Sequence, residues 1–149
     1  MKQAKKILVP TDLSENSKRG LRYAFSLAAQ DAAELVILHV ASEFQTWEIP
    51  EEAGFLSARV YTWEVDRVVR EASLDLHRFL EKHRDELSRV KTVRKRVVLG
   101  DAVEKIVEVA REEEVDLIVM SPRPHDSWKR FFLGSVTDKV TREAPCPVL

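Results

Sequence analysis

The residues with the clearest capacity for chemistry lie in one polar stretch, MSPRPHDSWKRFFLGSV, which runs from Met120 to Val136. Gly134 and Ser135 come directly before a predicted helix, where free backbone N–H groups and the helix dipole favour an anion. Arg123 adds positive charge to the same stretch. A Gly-Ser pair before a helix is also common as a tight turn and helix cap. The pattern therefore leaves two interpretations open, an anion site and a structural turn.

A second candidate, Asp12, follows the short apolar run Ile7-Leu8-Val9, which Pro10 ends. The Asp12 carboxylate could accept hydrogen bonds from a ribose hydroxyl or from a ligand amine. An Asp in a turn also bonds to nearby backbone N–H groups, or assists a helix cap such as Ser14. Both roles remain open on the residues alone.

The sequence lacks the patterns of common catalytic and metal sites. Its four histidines are scattered without an H-E-x-x-H motif, and there is no G-x-S-x-G elbow, Walker loop or G-x-G-x-x-G after the first strand. The single cysteine, Cys146, excludes an internal disulfide and a multi-cysteine metal site. His83 falls on an apolar helix face, where a packed histidine is the simpler interpretation. We therefore expect no catalytic residue and no metal.

Strand-like and helix-like apolar patterns alternate along the chain. The predicted strands are Lys6–Val9, Leu35–Val40, Thr92–Leu99 and Asp116–Met120, and the predicted helices begin near Glu15, span Val65–Leu87 and Val103–Ala110, and run from Gly134 to Glu143. Such alternation predicts a parallel sheet with helices on both faces. Ligands of these sheets bind beyond the carboxyl ends of the strands. The search for a site therefore narrows to 10–14, to 40 onward and to 120–135.

Length and composition are those of one globular domain. The chain has 149 residues, and 24 Lys and Arg balance 25 Asp and Glu to a net charge of −1. This balance provides no global field for nucleic acid or anionic lipid, and the apolar runs are far shorter than the roughly 20 residues of a membrane-spanning helix. The first residues lack the pattern of a signal peptide. We expect a cytoplasmic protein that binds neither nucleic acid nor membrane.

Several stretches together resemble the universal stress proteins. ILVPTDLSENSKRGLRYAFSLA is similar to the first strand, P-x-D turn and helix of that family, ELVILHV to its second strand, and DLIVM with LGSVTDKVTREAPCPVL to its carboxyl-terminal signature. The resemblance covers residues 1–149 as a single domain. It implies an open five-stranded parallel sheet of Rossmann-like, adenine nucleotide alpha-hydrolase-like type, a dimer, and no well-established reaction.

One branch of this family binds ATP through the loop pattern G-x2-G-x9-G-[S/T]. Laid on this chain, the first two glycines fall on Ser121 and Pro124, whereas the last pair is kept as Gly134 and Ser135. A serine adds a Cβ, and a proline removes an N–H donor and fixes φ. Pro122 removes a second donor. The loop is therefore poorly suited to a triphosphate.

The adenosine half of the family's site is better kept. Pro10, Thr11 and Asp12 match positions near the base and ribose, and Val40 matches a position beside the adenine. Met120, Arg123 and Val136, together with the Gly134-Ser135 pair, complete the candidate nucleotide or anion set.

Two functions are compatible with these residues. The first is a non-catalytic, dimeric stress-response protein that requires no cofactor and acts on a protein partner that the sequence does not identify. The alternative is an adenine-nucleotide module that holds ATP or AMP through Asp12, Arg123, Gly134 and Ser135.

The final strand that the expected dimer would pair through is short. The resemblance implies that a final strand starting at Pro147 pairs across a two-fold axis, but only Val148 and Leu149 follow it. Other apolar residues should then contribute to the interface. We expect them in the irregular excursion 41–57, which includes Phe44, Trp47, Ile49 and Phe55.

Overall fold

Parallel strands form the centre of the protein in a computed structural model, which describes residues 3–41, 54–121 and 136–149. The strands are β1 (Lys6–Pro10), β2 (Glu34–Ala41), β3 (Thr92–Leu99) and β4 (Leu117–Ile118). The helices are α1 (Lys18–Asp31), α2 (Gly54–Glu81), α3 (Arg84–Leu87), α4 (Ala102–Glu112) and α5 (Val136–Glu143). The strand order is β3-β2-β1-β4, and all pairs are parallel. The predicted α/β class is confirmed.

The central strands are apolar because helices cover both of their faces. Side chains of a strand alternate between faces, and one alternate set packs with α1 and α2 in a cluster that includes Ile7, Leu35 and Ile37. The other set packs with α4 and α5 in a cluster that includes Leu8 and Val36. This double burial explains why both strands read as continuous apolar runs.

The predicted fifth strand is reduced, in the described part of the chain, to one parallel bridge between Ile118 and Val148. Leu149 N–H donates to the Ile118 carbonyl at 2.8 Å, and Ile118 N–H donates to the Pro147 carbonyl at 3.0 Å. Pro147 therefore takes part through its oxygen, although it has no N–H. Five full strands are not confirmed, because this pairing is too short to form a ladder.

Several element boundaries differ from the prediction. Helix α1 begins at Lys18 rather than near Glu15, because residues 14–17 form a tight turn in which Ser17 N–H donates to the Ser14 carbonyl at 3.2 Å. The long second helix begins at Gly54, so residues 54–57 of the predicted irregular excursion are helical, and it ends at Glu81, after which the short α3 follows. Strand β4 covers only two residues of the predicted Asp116–Met120, since only Leu117 and Ile118 pair with β1.

A cluster of ion pairs closes the end of the sheet at which β1 and β2 begin. Glu113, which follows α4, accepts hydrogen bonds from Lys6 at 3.2 Å, from Arg94 at 2.7 and 3.1 Å and from Arg96 at 3.1 Å. Burial alone would raise the pKa of the Glu113 carboxyl, but these three cations hold it below its ordinary value. The cluster therefore ties β1, β3 and the end of α4 together through one carboxylate.

Among the helices that the structure describes, none is long and apolar enough to cross a membrane.

Candidate functional site

The carboxyl ends of β1 and β2 are joined at Thr11. Its N–H donates to the Leu38 carbonyl at 2.8 Å, which extends the β1–β2 pairing by one residue. Its carbonyl lies 2.9 Å from Nδ1 of His39. A carbonyl oxygen only accepts, so the imidazole donates from Nδ1. His39 therefore holds the peptide that leads into Asp12.

The Thr11 side chain is buried and fixes the turn into α1. Its hydroxyl lies 2.8 Å from the hydroxyl of Ser17 and accepts from Leu13 N–H at 3.1 Å. Leu13 takes a left-handed backbone conformation, with φ of 64°. A leucine in that conformation is uncommon, and the bond to Thr11 helps to hold it. Thr11 therefore acts as the internal support of this turn.

Asp12 lies exposed at the same edge and forms the turn that its sequence context favours. Its Oδ1 accepts hydrogen bonds from the backbone N–H of Ser14, at 3.0 Å, and from the Ser14 hydroxyl. The structural role expected of Asp12, a carboxylate that accepts from a backbone N–H in a turn, is therefore present. Its contact with a ligand stays a prediction.

The structure brings Val40 and Met120 onto one face of the sheet. Both pack against the cluster that α4 and α5 cover, and Met120 N–H donates to the Leu149 carbonyl at 2.9 Å. Pro10 ends β1, and Val136 begins α5 and is 38% exposed. Pro10 and Val40, the apolar residues of the predicted adenosine half, therefore lie at the carboxyl ends of β1 and β2.

Ser121 makes a close contact with α1. Its Oγ accepts a hydrogen bond from the N–H of Gly20 at 2.7 Å and lies 3.5 Å from the Ser17 carbonyl. A Cβ built on Gly20 would come within 2.5 Å of that Oγ, so the contact requires glycine. The sequence predicts neither partner of this pair, because the two residues are 101 positions apart.

Other predicted positions lie outside the described residues. Arg123, Gly134 and Ser135 fall between 121 and 136, and most of the excursion 41–57 falls between 41 and 54. The proposed phosphate contacts and the proposed dimer excursion therefore stay predictions.

His39 and Ser17 are the site residues that sequence analysis missed. His39 lies within the apolar run of β2, and its polarity is the only sequence feature that distinguishes it from its neighbours. His83, in contrast, was expected to be packed, and it is 3% exposed between the rings of Phe25 and Phe79, with centroid distances of 6.1 and 5.8 Å. The prediction for His83 is confirmed.

Cys146 is half-buried, and burial, together with the charge of Asp116, raises the pKa of its thiol. A raised thiol pKa leaves less of the reactive thiolate at neutral pH. An inert thiol fits this environment.

The described part of the chain brings together no group of three His, Cys, Asp or Glu side chains that could hold a metal ion. An open groove of about 580 Å³ runs along α4 and α5 and is lined by residues such as Val103 and Lys139. None of the predicted site residues that the structure describes lines this groove.

Known proteins resemble the chain over nearly its full length. A universal stress protein of Methanocaldococcus jannaschii, MJ0577, is 29% identical over 97% of this chain and 93% of its own. The universal stress protein YxiE of Bacillus subtilis is 32% identical over 97% of this chain and 96% of its own.

Solved structures show the same fold. The structure of MJ0577 matches with a TM-score of 0.72 at 29% identity, covering 99% of this chain and 95% of that one. A universal stress protein solved in complex with cAMP matches with a TM-score of 0.73 at 22% identity, covering 99% and 97%. The sequence model of the Universal stress protein family matches residues 3–149. This chain therefore belongs to the universal stress protein family.

Proposed function

We propose that this protein is a non-catalytic, dimeric regulatory protein of the stress response, and that it works without bound ATP. The observation that carries the proposal is the internal use of polar side chains at the end of β1. Thr11 bonds to Ser17, and Asp12 bonds to Ser14. These side chains stabilise the turn between β1 and α1, which is a structural role and not a catalytic one.

The hydrogen bond at Nδ1 of His39 bears on the same question. A histidine that activates a hydroxyl is oriented by a partner on one nitrogen and faces the nucleophile with the other. The hydroxyls of Thr11 and Ser17 bond to each other at 2.8 Å. The Nδ1 nitrogen of His39 donates to the carbonyl of Thr11. This bond supports a role for the imidazole in positioning the Thr11 peptide, and the two hydroxyls are paired with each other rather than with that nitrogen.

The sequence from Ser121 to Ser135, which aligns with the family's ATP-binding pattern, supports a function without bound ATP. A triphosphate needs several converging backbone N–H groups. Pro122 and Pro124 have none, and Ser121 carries a side chain where the ATP-binding pattern has glycine. We therefore infer that the loop lacks the backbone N–H donors that ATP binding needs.

The dimer is proposed to form at the edge that carries Val148. In a parallel pair, a residue flanked by two bonds to its neighbour directs its own N–H and C=O to the opposite side. Ile118 is bonded to Pro147 and Leu149, so the groups of Val148 face away from β4. A second copy could pair there across a two-fold axis.

The test is to purify the protein without added nucleotide, denature it and resolve the released small molecules by chromatography. Titration calorimetry with ATP, AMP and cAMP follows at physiological ionic strength. We expect a supernatant without adenine nucleotide and no ATP binding in the micromolar range. Micromolar binding of ATP by the unaltered protein would overturn the proposal.

A second candidate function, an adenine-nucleotide module, is favoured by the placement of Asp12, Val40 and Met120. An exposed carboxylate and two apolar side chains lie at the carboxyl edge, as a ribose and a base would require. This candidate predicts that AMP binds as tightly as ATP and that Asp12→Asn weakens both. The variant Asp66→Asn, on the remote helix α2, is the matched control.

A further inference from the structure

His83 lies where helix α2 ends and α3 begins, and its ring contacts α1. Its backbone N–H donates to the Leu80 carbonyl, and its own carbonyl accepts from Leu87 N–H, both at 2.9 Å. The ring is buried between Phe25 of α1 and Phe79 of α2. The imidazole therefore fills part of the contact between α1 and the start of α3.

Both nitrogens of the His83 ring are buried, and neither has a hydrogen-bond partner. Among the residues that the structure describes, no other buried side chain is in this condition. A neutral imidazole leaves one donor and one acceptor unpaired here, whereas an imidazolium would leave two donors unpaired and carry a charge. A buried charge costs far more free energy than a buried neutral group. Enclosure at this place therefore disfavours the charged ring.

Glu86 of α3 provides the one ion-pair contact of the ring within the described part of the chain. Its Oε1 lies 3.6 Å from Nδ1 of His83, beyond a hydrogen bond, and 3.5 Å from Nε of Arg22 on α1. The carboxylate is half-exposed, so solvent screens its attraction for an imidazolium, and Arg22 shares the same oxygen. We take this attraction to be smaller than the cost of enclosing the charge.

The other elements around the ring add no second carboxylate to it among the described residues. On α1, Lys18 lies 5.9 Å from the centroid of one of the two aromatic rings and pairs with Glu15. On α2, Glu81 pairs with His77 and with Arg84 of α3. The strand side chains that cluster with the two aromatic rings are apolar. A proton on the imidazole therefore finds no acceptor within the closed contact.

We propose that His83 is a proton-sensitive contact, and that α3 separates from α1 when the imidazole takes up a proton from solvent. The open form, in which both ring nitrogens reach water, binds this proton, and the closed form does not. A fall in pH therefore favours the open form. A histidine in water is half-protonated at about pH 6.5, so the response belongs to mildly acid conditions. This inference goes beyond the proposed function and does not depend on ATP.

The experiment measures amide hydrogen exchange by NMR at Leu87 and Ser88, whose N–H groups bond to carbonyls at the start of α3. After correction for intrinsic exchange, we expect the open population to rise about tenfold between about pH 7.5 and about pH 5.5, as follows for a histidine that is protonated only when open. The amide of Ala144, at the end of α5, is the internal reference and should not change with the other two.

A variant without the imidazole shows whether His83 is the cause. His83→Leu keeps an apolar side chain between the two aromatic rings and should abolish the tenfold response. His77→Leu, at an exposed position of α2, is the matched control and should keep it. His83→Phe serves the same purpose where the leucine variant does not fold.

Three results would overturn the inference. The first is an open population in the unaltered protein that does not change with pH. The second is an equal rise at Leu87 and Ala144, which would place the acid response in unfolding of the whole domain. The third is a tenfold response that persists in a folded variant without the His83 imidazole.

Discussion

Nδ1 of His39 lies 2.9 Å from the carbonyl oxygen of Thr11, so a side chain of β2 holds the residue that follows β1. The same two segments are joined by the bond from Thr11 N–H to the Leu38 carbonyl. Thr11 is thus bonded to β2 through both its N–H and its C=O. The position of Asp12 follows from this double attachment.

Replacing His39 by leucine should lower the free energy of unfolding by about 1–3 kcal/mol, because the carbonyl of the buried Thr11 loses its imidazole donor. Urea unfolding measures the change. His77→Leu, at an exposed position of α2, is the matched control and should stay within about 0.5 kcal/mol of the unaltered protein. Equal stability of the two variants would contradict the role given to His39.

Glu113 should make stability depend on acid pH. Its pKa in the folded protein is lowered, so the unfolded chain binds its proton first as pH falls. The stabilisation is therefore present above the unfolded pKa of about 4.3 and is lost as pH falls through the lower folded pKa.

Glu113→Gln should accordingly be less stable than the unaltered protein at pH 7 by about 1–3 kcal/mol, and the difference should shrink towards pH 3. Thermal unfolding across this range provides the measurement. Glu112, half-exposed and paired with Arg96 at 3.1 Å, offers the control Glu112→Gln, for which about 0–1 kcal/mol is expected. A pH-independent difference for Glu113→Gln would show that the carboxylate is not the cause.

Restoring glycine at 121, 122 and 124 together should increase the affinity for ATP. Each recovered charge-assisted hydrogen bond contributes about 1.5–3 kcal/mol before the cost of ordering the loop. Calorimetry with AMP is the matched control, since AMP lacks the two outer phosphates and should gain less. An equal gain for both nucleotides would place the missing contacts elsewhere than at the outer phosphates.

The proposed dimer edge can be tested at Val148. Val148→Pro removes the N–H that faces away from β4 and leaves the bonds of Pro147 and Leu149 to Ile118 in place. Light scattering during size-exclusion chromatography should give twice 17.1 kDa for the unaltered protein and 17.1 kDa for the variant. Val148→Ala keeps the N–H and should remain dimeric. A dimeric Val148→Pro would move the interface to another surface.

The sequence predicted those parts of the fold that depend on local periodicity. Leu35–Leu38 are fully buried, as a continuous apolar run in a covered strand should be, and Leu21, Ala24, Phe25 and Ala28 form the buried face of α1. These patterns repeat within a few residues, so a single sequence contains them.

The contacts that shape the candidate site were not predictable in this way. His39 meets Thr11 across 28 positions, and Ser121 meets Gly20 across 101. The late start of α1 follows from the turn at residues 14–17, in which Ser17 N–H donates to the Ser14 carbonyl. A hydroxyl or an imidazole carries no periodic signal of its long-range partner.

The ion pairs of Glu113 have a consequence for how this chain can vary. They fasten the sheet at the end where β1 and β2 begin, away from the loops that follow the strands. We infer that substitutions in those loops leave these ion pairs intact. The end of the sheet at which β1 and β2 begin therefore keeps its own stabilising contacts when residues at the carboxyl end change.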